Sequence, residues 1–153
     1  MAHYFAYGNL LDIDIMRRIA PSARAVTVAC LDDQEIAFAK CSDPSIGGCT
    51  LNARSGAKTW GVQYELSDTD MVTLDKAAGV EKGHWRQEKI TLRTKDGGTI
   101  ASTTYVIPQE SGAYSPPETY VAPIYKGAED LDLPHDYRSR LREIIVAAQA
   151  AAG

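Results

Sequence analysis

Apolar residues recur along this chain in two rhythms, and the changes of rhythm mark its elements. In the stretch TWGVQYELS, Trp60, Val62, Tyr64 and Leu66 alternate with Gly61, Gln63 and Glu65. That period of two belongs to a strand with one buried face. The run AHYFAYG opens the chain as a short aromatic strand, punctuated by Gly8. Asp12 then stands where it can cap a helix through IDIMRRIA to Pro21. Residues 23–39, ARAVTVACLDDQEIAFA, read as two β-like runs around an Asp-Asp turn, and KCSDPSIGG behind them as a loop, with CTLNA as one more short strand.

The rhythm shifts to helical after Ser67. Ser67-x-x-Asp70 resembles a capping box, and Met71, Leu74 and Ala78 fall on one face at i, i+3 and i+7. Gly79 is the natural stop. The runs HWRQEKITLRT and TIASTTYVI flank Lys95-Asp96-Gly97-Gly98, a hairpin signal that makes them antiparallel neighbours. ESGAYSPP is a loop, Glu118 to Lys126 a helix, and Leu133-Pro134 starts a last helix whose Tyr137, Leu141, Ile144, Ile145 and Ala148 form an apolar stripe. With no repeat, linker or low-complexity tract, residues 1–153 read as one α+β domain, a small mixed, partly closed β-barrel flanked by helices.

Composition narrows the partners. The 153 residues are 44% hydrophobic, enough to bury a core. The net charge is −4 and no basic cluster exceeds a pair, so neither nucleic acid nor an anionic membrane finds an electrostatic footprint. Three cysteines without C-x-x-C spacing, and an N-terminus lacking a basic, apolar leader, point to a reduced, cytoplasmic protein. Cys30 belongs in the core, and Cys41 and Cys49 flank a Ser/Gly/Pro loop where no reactive-thiol role is expected. His3, His84 and His135 are too scattered for a metal site. No G-x-S-x-G, P-loop, H-E-x-x-H or G-x-G-x-x-G motif is present, which takes most support from nucleophilic-serine, nucleotide and zinc-protease readings.

Chemistry has three candidate seats. The loop Tyr7-Gly8-Asn9-Leu10-Leu11, between a strand and a helix start, can turn backbone N–H groups on an anion. The corner AAGVEKGHW offers Glu81 and His84 as acid–base groups, against the plainer reading of a solvated loop. Eight tyrosines against two phenylalanines suggest a polar-edged pocket, for which Tyr7, Tyr105, Tyr114, Tyr120 and Tyr125 are candidates. The residues themselves carry the reading as far as a small-molecule pocket.

Several segments, in order, resemble the γ-glutamylcyclotransferase (AIG2-like) family: YFAYG at 4–8, RIAPSA at 18–23, WGVQYEL at 60–66, LDKAAGV at 74–80, Tyr105, and YKGAEDLDLPHDY at 125–137. The resemblance implies a pocket for a γ-glutamyl group, whose own α-amine attacks its γ-carbonyl to release 5-oxoproline and a free amine. It implies no cofactor and a small-molecule partner, and leaves the oligomeric state open. In the family a Tyr-Gly-Ser-Asn-Leu loop cradles the glutamyl moiety, which carries over to Tyr7, Gly8, Asn9 and Leu10. Trp85, Tyr105 and Tyr120 fall where the family places aromatic pocket residues.

This chain departs from the family twice. The family's Leu-Asp-x-x-Glu-Gly-Val carries its general acid–base glutamate where Ala78 stands. Loss of such a group typically slows a reaction about 10²- to 10⁴-fold, or roughly 3–5 kcal/mol of barrier. An ungapped match also sets Asn9 at the serine and Leu10 at the asparagine, which removes side-chain hydrogen bonds and spares backbone ones. Three readings of Ala78 stand open: an engineered Glu→Ala change in an enzyme, a natural change that leaves a non-catalytic binder of γ-glutamyl or 5-oxoproline groups, or transfer of the proton work to Glu81.

Overall fold

A computed structural model describes residues 1–151 of the chain. Six strands and four α-helices follow in the order β1 (Ala2–Ala6), α1 (Ile13–Ile19), β2 (Arg24–Lys40), β3 (Gly47–Leu66), α2 (Asp68–Ala77), β4 (Arg86–Thr94), β5 (Thr99–Val106), β6 (Gly112–Ala113), α3 (Glu118–Asp130) and α4 (His135–Ala151). One-turn 3₁₀ helices occupy Asn9–Leu11 and Val80–Lys82. The strands form a sheet in the order β1-β3-β2-β4-β5, with β6 on the end of β2, and every pairing among the described residues is antiparallel.

The sheet curls until its outer strands meet through side chains. Thr104 Oγ1 on β5 donates to the Phe5 carbonyl on β1 at 2.7 Å, and the Tyr7 hydroxyl donates to the Tyr105 carbonyl at 2.6 Å. The Tyr4 and Tyr105 rings lie 5.1 Å apart across the same seam. Three side-chain links without a backbone ladder give a partly closed barrel, as the strand pattern suggests.

The Asp-Asp feature is a bulge within one strand, not a turn between two. β2 runs unbroken through Asp32 and Asp33, and the register on β3 jumps from Lys58 opposite Asp32 to Ala53 opposite Gln34. Asp33 takes a left-handed φ of 62° and accepts a hydrogen bond from the Gly56 N–H at 2.9 Å, which anchors the extra β3 residues. CTLNA and TWGVQYELS are therefore the two halves of a single 20-residue strand. Polar residues at the bulge hid this continuity, because the alternation stops there while the backbone pairing resumes beyond it.

Local capping follows the sequence closely. Asp12 accepts from the Asp14 N–H at 3.0 Å to start α1, and Ser67 accepts from the Asp70 N–H at 3.1 Å to start α2. Asp70 does not accept the Ser67 N–H. Its carboxylate binds Ser22, on the turn after α1, and the Ser22 hydroxyl accepts the Ser67 N–H at 3.0 Å. The capping box is thus completed by a third residue and ties α1 to α2. α3 continues four residues past Lys126, to Asp130. Gly127 sits inside the helix because it faces Leu11: a Cβ there would lie 2.4 Å from the Leu11 carbonyl carbon. A spacing requirement, not a stop signal, placed that glycine. α4 buries Tyr137, Leu141 and Ile145 in the core.

Candidate functional site

The open end of the curled sheet, the 3₁₀ turn after β1 and the end of α2 enclose a cavity of about 170 Å³. Tyr4, Tyr7, Gly8, Asn9, Leu10, Cys49, Trp85, Tyr105 and Tyr120 line it, together with Ile19, Leu74, Ala77 and Ala78. The residues that the family resemblance marks as ligand contacts, Tyr7 through Leu10 with Trp85, Tyr105 and Tyr120, border one space, whereas the further tyrosine candidates Tyr114 and Tyr125 do not. Ala78 borders it too. Glu81 lies on the exposed 3₁₀ turn Val80–Lys82, and neither it nor His84 is part of the lining.

Each wall is fixed by contacts outside the cavity. The turn carrying Asn9 and Leu10 is held by the Tyr64 hydroxyl, which donates to the Leu10 carbonyl at 2.7 Å, and is backed by Gly127 of α3. Gly8 has no room for a side chain, because its Cβ would meet Cys49 Sγ at 2.3 Å. On the facing strand the Cys49 N–H donates to the Tyr120 hydroxyl oxygen at 2.9 Å, and Trp85 Nε1 donates to the Cys49 carbonyl at 3.0 Å. One strand residue thus fixes two aromatic walls. Tyr114 supports Tyr120 edge-on at 5.9 Å, and Tyr125 lies away from the cavity beneath the Arg142 guanidinium.

The end of α2 presents Ala78 as the sequence spacing requires. Met71 and Leu74 are buried two turns and one turn before it. Ala78 caps the helix at φ −78°, ψ −4°, with its N–H donating to the Leu74 carbonyl at 2.9 Å, and Gly79 follows in the left-handed region at φ 65°. The chain leaves the helix there, and Gly79 carries no Cβ because one would run into the His84 ring.

Electrostatically the cavity is unusual for a candidate catalytic site. None of the lining residues carries a full charge at neutral pH. Burial pushes the hydroxyls of Tyr4, Tyr7 and Tyr120 well above their ordinary value. The Cys49 thiol is also pushed up by burial, against hydrogen bonds from Tyr120, its own backbone and Asn9 that favour the thiolate. Tyr105 is raised by burial and by the Asp75 carboxylate, to which its hydroxyl donates at 2.5 Å. The site therefore offers neutral donors and acceptors, with no group poised to take up a proton at pH 7. Among the described residues no cluster of metal-ligating side chains occurs, and no helix is long and apolar enough to cross a membrane.

The sequence did not single out Tyr4, Ile19, Cys49, Leu74, Ala77 or Asp75 for this site. Tyr4 and Cys49 enter because β1 and β3 are paired in a register that no local pattern states. Asp75 on α2 reaches Tyr105 on β5 across 30 residues of chain. The one signal available was Asp75's place in LDKAAGV, three residues before position 78.

Known proteins are similar to this chain in sequence and fold. A model of the AIG2-like family matches residues 58–141. The γ-glutamylcyclotransferases of Bos taurus and Homo sapiens are each 30% identical over 146 residues, covering 92% of this chain and 77% of theirs. A solved γ-glutamyl cyclotransferase superposes with a TM-score of 0.86 at 27% identity, over 92% of this chain and 86% of that one. YkqA from Bacillus subtilis shares the fold, with a TM-score of 0.79 at 22% identity over 95% of this chain and 54% of its own. The chain belongs to the γ-glutamylcyclotransferase, AIG2-like family.

Proposed function

We propose that the cavity binds the γ-glutamyl part of a small amide, and that this chain lacks the general acid–base that would turn it over. The observation that carries the reading is the position of Ala78, which borders the same cavity as the Tyr7–Leu10 turn. Three supports converge: relatives named as γ-glutamylcyclotransferases, a fold shared with a solved one, and a lining of neutral hydrogen-bonding side chains.

The reaction of such a site explains why the carboxylate matters. The substrate's α-nitrogen attacks its γ-carbonyl carbon, a ring C–N bond forms, the amide C–N bond breaks, and the departing nitrogen takes up a proton. An ammonium has no lone pair, so a base must first remove its proton, and the same group can return one to the leaving amine. A carboxylate at position 78, partly desolvated against Leu74, would have its pKa raised toward neutrality and could serve both steps. Ala78 serves neither. The backbone of Gly8, Asn9 and Leu10 keeps its donors whatever the side chains are, so loss of turnover need not mean loss of binding.

Calorimetric titration against a panel of γ-glutamyl amides and 5-oxoproline tests this. Saturable binding of at least one panel member with no 5-oxoproline release is the expected result. If no γ-glutamyl compound binds at millimolar concentration, the ligand class is wrong.

A further inference from the structure

We propose that Tyr105, held by Asp75, receives the ligand's α-ammonium group and so gives the cavity a cation-accepting end. The inference rests on the γ-glutamyl reading and adds which wall recognises the amine.

A γ-glutamyl ligand brings a positive charge into a cavity whose own lining carries no negative one. Burying an ammonium without a partner is strongly unfavourable, so a counter-charge must stand within reach of the wall. Asp75 is such a group. It is half-buried on α2, and its Oδ1 accepts the Tyr105 hydroxyl proton at 2.5 Å. Gln87 Nε2 holds the same carboxylate from β4, at 2.7 Å to Oδ1 and 2.9 Å to Oδ2. With both oxygens occupied by donors, Asp75 is fixed as an acceptor.

The consequence falls on Tyr105. A phenol has one proton to give and lone pairs to offer. Because the proton is committed to Asp75, the oxygen is left as an acceptor, polarised by the carboxylate behind it. Tyr7 also gives its proton away, but to the Tyr105 carbonyl, with no carboxylate behind it. Among the cavity tyrosines, Tyr105 is the one whose hydroxyl donates to a carboxylate. Its ring is held 5.1 Å from that of Tyr4, and its backbone carbonyl is fixed by Tyr7, so the acceptor does not wander.

The test separates amine recognition from binding in general. Titrate the chain with a γ-glutamyl alkylamide and with the matching glutaric acid monoalkylamide, which lacks only the α-amine. A hydrogen bond to a charged group predicts that the unaltered chain prefers the amine-bearing ligand by about 10- to 100-fold. Tyr105→Phe, which keeps the ring against Tyr4, and Asp75→Asn should each shrink that preference to less than about threefold. The readout is the ratio of the two affinities within each variant, so a change common to both ligands does not count toward it. Should Asp75→Asn fail to fold, Tyr105→Phe decides alone. Equal affinity for the two ligands in the unaltered chain, or an unchanged preference in Tyr105→Phe, overturns the inference while the γ-glutamyl reading stands. Absence of binding to both ligands overturns that reading and the inference with it.

Discussion

Replacing Gly127 by alanine sets two magnitudes of opposite sign against each other. Inside an exposed helix the change removes backbone entropy from the unfolded chain and stabilises by roughly 0.8–1 kcal/mol. Here the new Cβ would lie 2.4 Å from the Leu11 carbonyl carbon and Cβ and 2.6 Å from its carbonyl oxygen. Ordinary contact begins near 3.4 Å, so α3 and the turn carrying Leu11 must separate by about 1 Å. Backbone cannot rotate aside as a flexible side chain does, and overpacking of a tight contact costs about 1–3 kcal/mol, sometimes more. Because the atoms met are backbone, the cost falls at the upper end of that range, about 3 kcal/mol, and the clash wins with a net loss of about 2 kcal/mol. In a chain of this size that lowers Tm by roughly 4–8 °C. Urea denaturation followed by circular dichroism reads the change as a lower midpoint at constant slope. Because the displaced turn is the cavity wall, ligand affinity should fall in parallel. A Gly127→Ala protein as stable as the parent or more so would show that α3 does not press on the site turn.

Other predictions follow from single contacts. Asp12 caps α1 and pairs with Lys126 Nζ at 3.2 Å; Asp12→Ala should cost about 1–2 kcal/mol in urea denaturation, more than the loss of a fully exposed ion pair. Burial and the neighbouring Asp32 push the Cys30 thiol up to about 11. A raised folded-state value stabilises below the unfolded value near 9 and fades as pH climbs toward 11, so Cys30→Ala should flatten the loss of stability across that window. A persisting slope would place the effect elsewhere. All three thiols are shifted upward by burial, so a chromogenic disulfide reagent at pH 7.5 should titrate less than one thiol in the folded chain and three after unfolding.

Much of this architecture could be read from the sequence, for identifiable reasons. Ser67, Asp12 and Lys95–Gly98 act locally, through hydrogen bonds to residues two or three positions away or a tight turn, and each does what its pattern predicts. The alternation at 60–66 picked out Val62, Tyr64 and Leu66 as one buried face of β3, but it missed that the opposite face is covered as well, at Gly61 and Gln63. The spacing of Met71, Leu74 and Ala78 aimed the α2 face at the cavity. What escaped was non-local. The Asp33 bulge preserves strand pairing where the side-chain pattern breaks, and Gly127 looks like a helix stop because its reason lies on Leu11, more than a hundred residues away. Cys49 gave no sign of its setting for a similar reason: its neighbours Gly8, Tyr120 and Trp85 come from three other parts of the chain. The γ-glutamyl chemistry itself was legible only through resemblance, since a cavity of neutral side chains does not state its reaction.

The central claim is that position 78 is where this cavity lacks its proton carrier. Release of 5-oxoproline from the best-bound γ-glutamyl amide, measured for the chain and for Ala78→Glu side by side, tests it most directly. The account predicts a gain of about 10²- to 10⁴-fold with the glutamate, at little change in affinity. Ready turnover by the Ala78 chain, unchanged by Ala78→Glu, would contradict it.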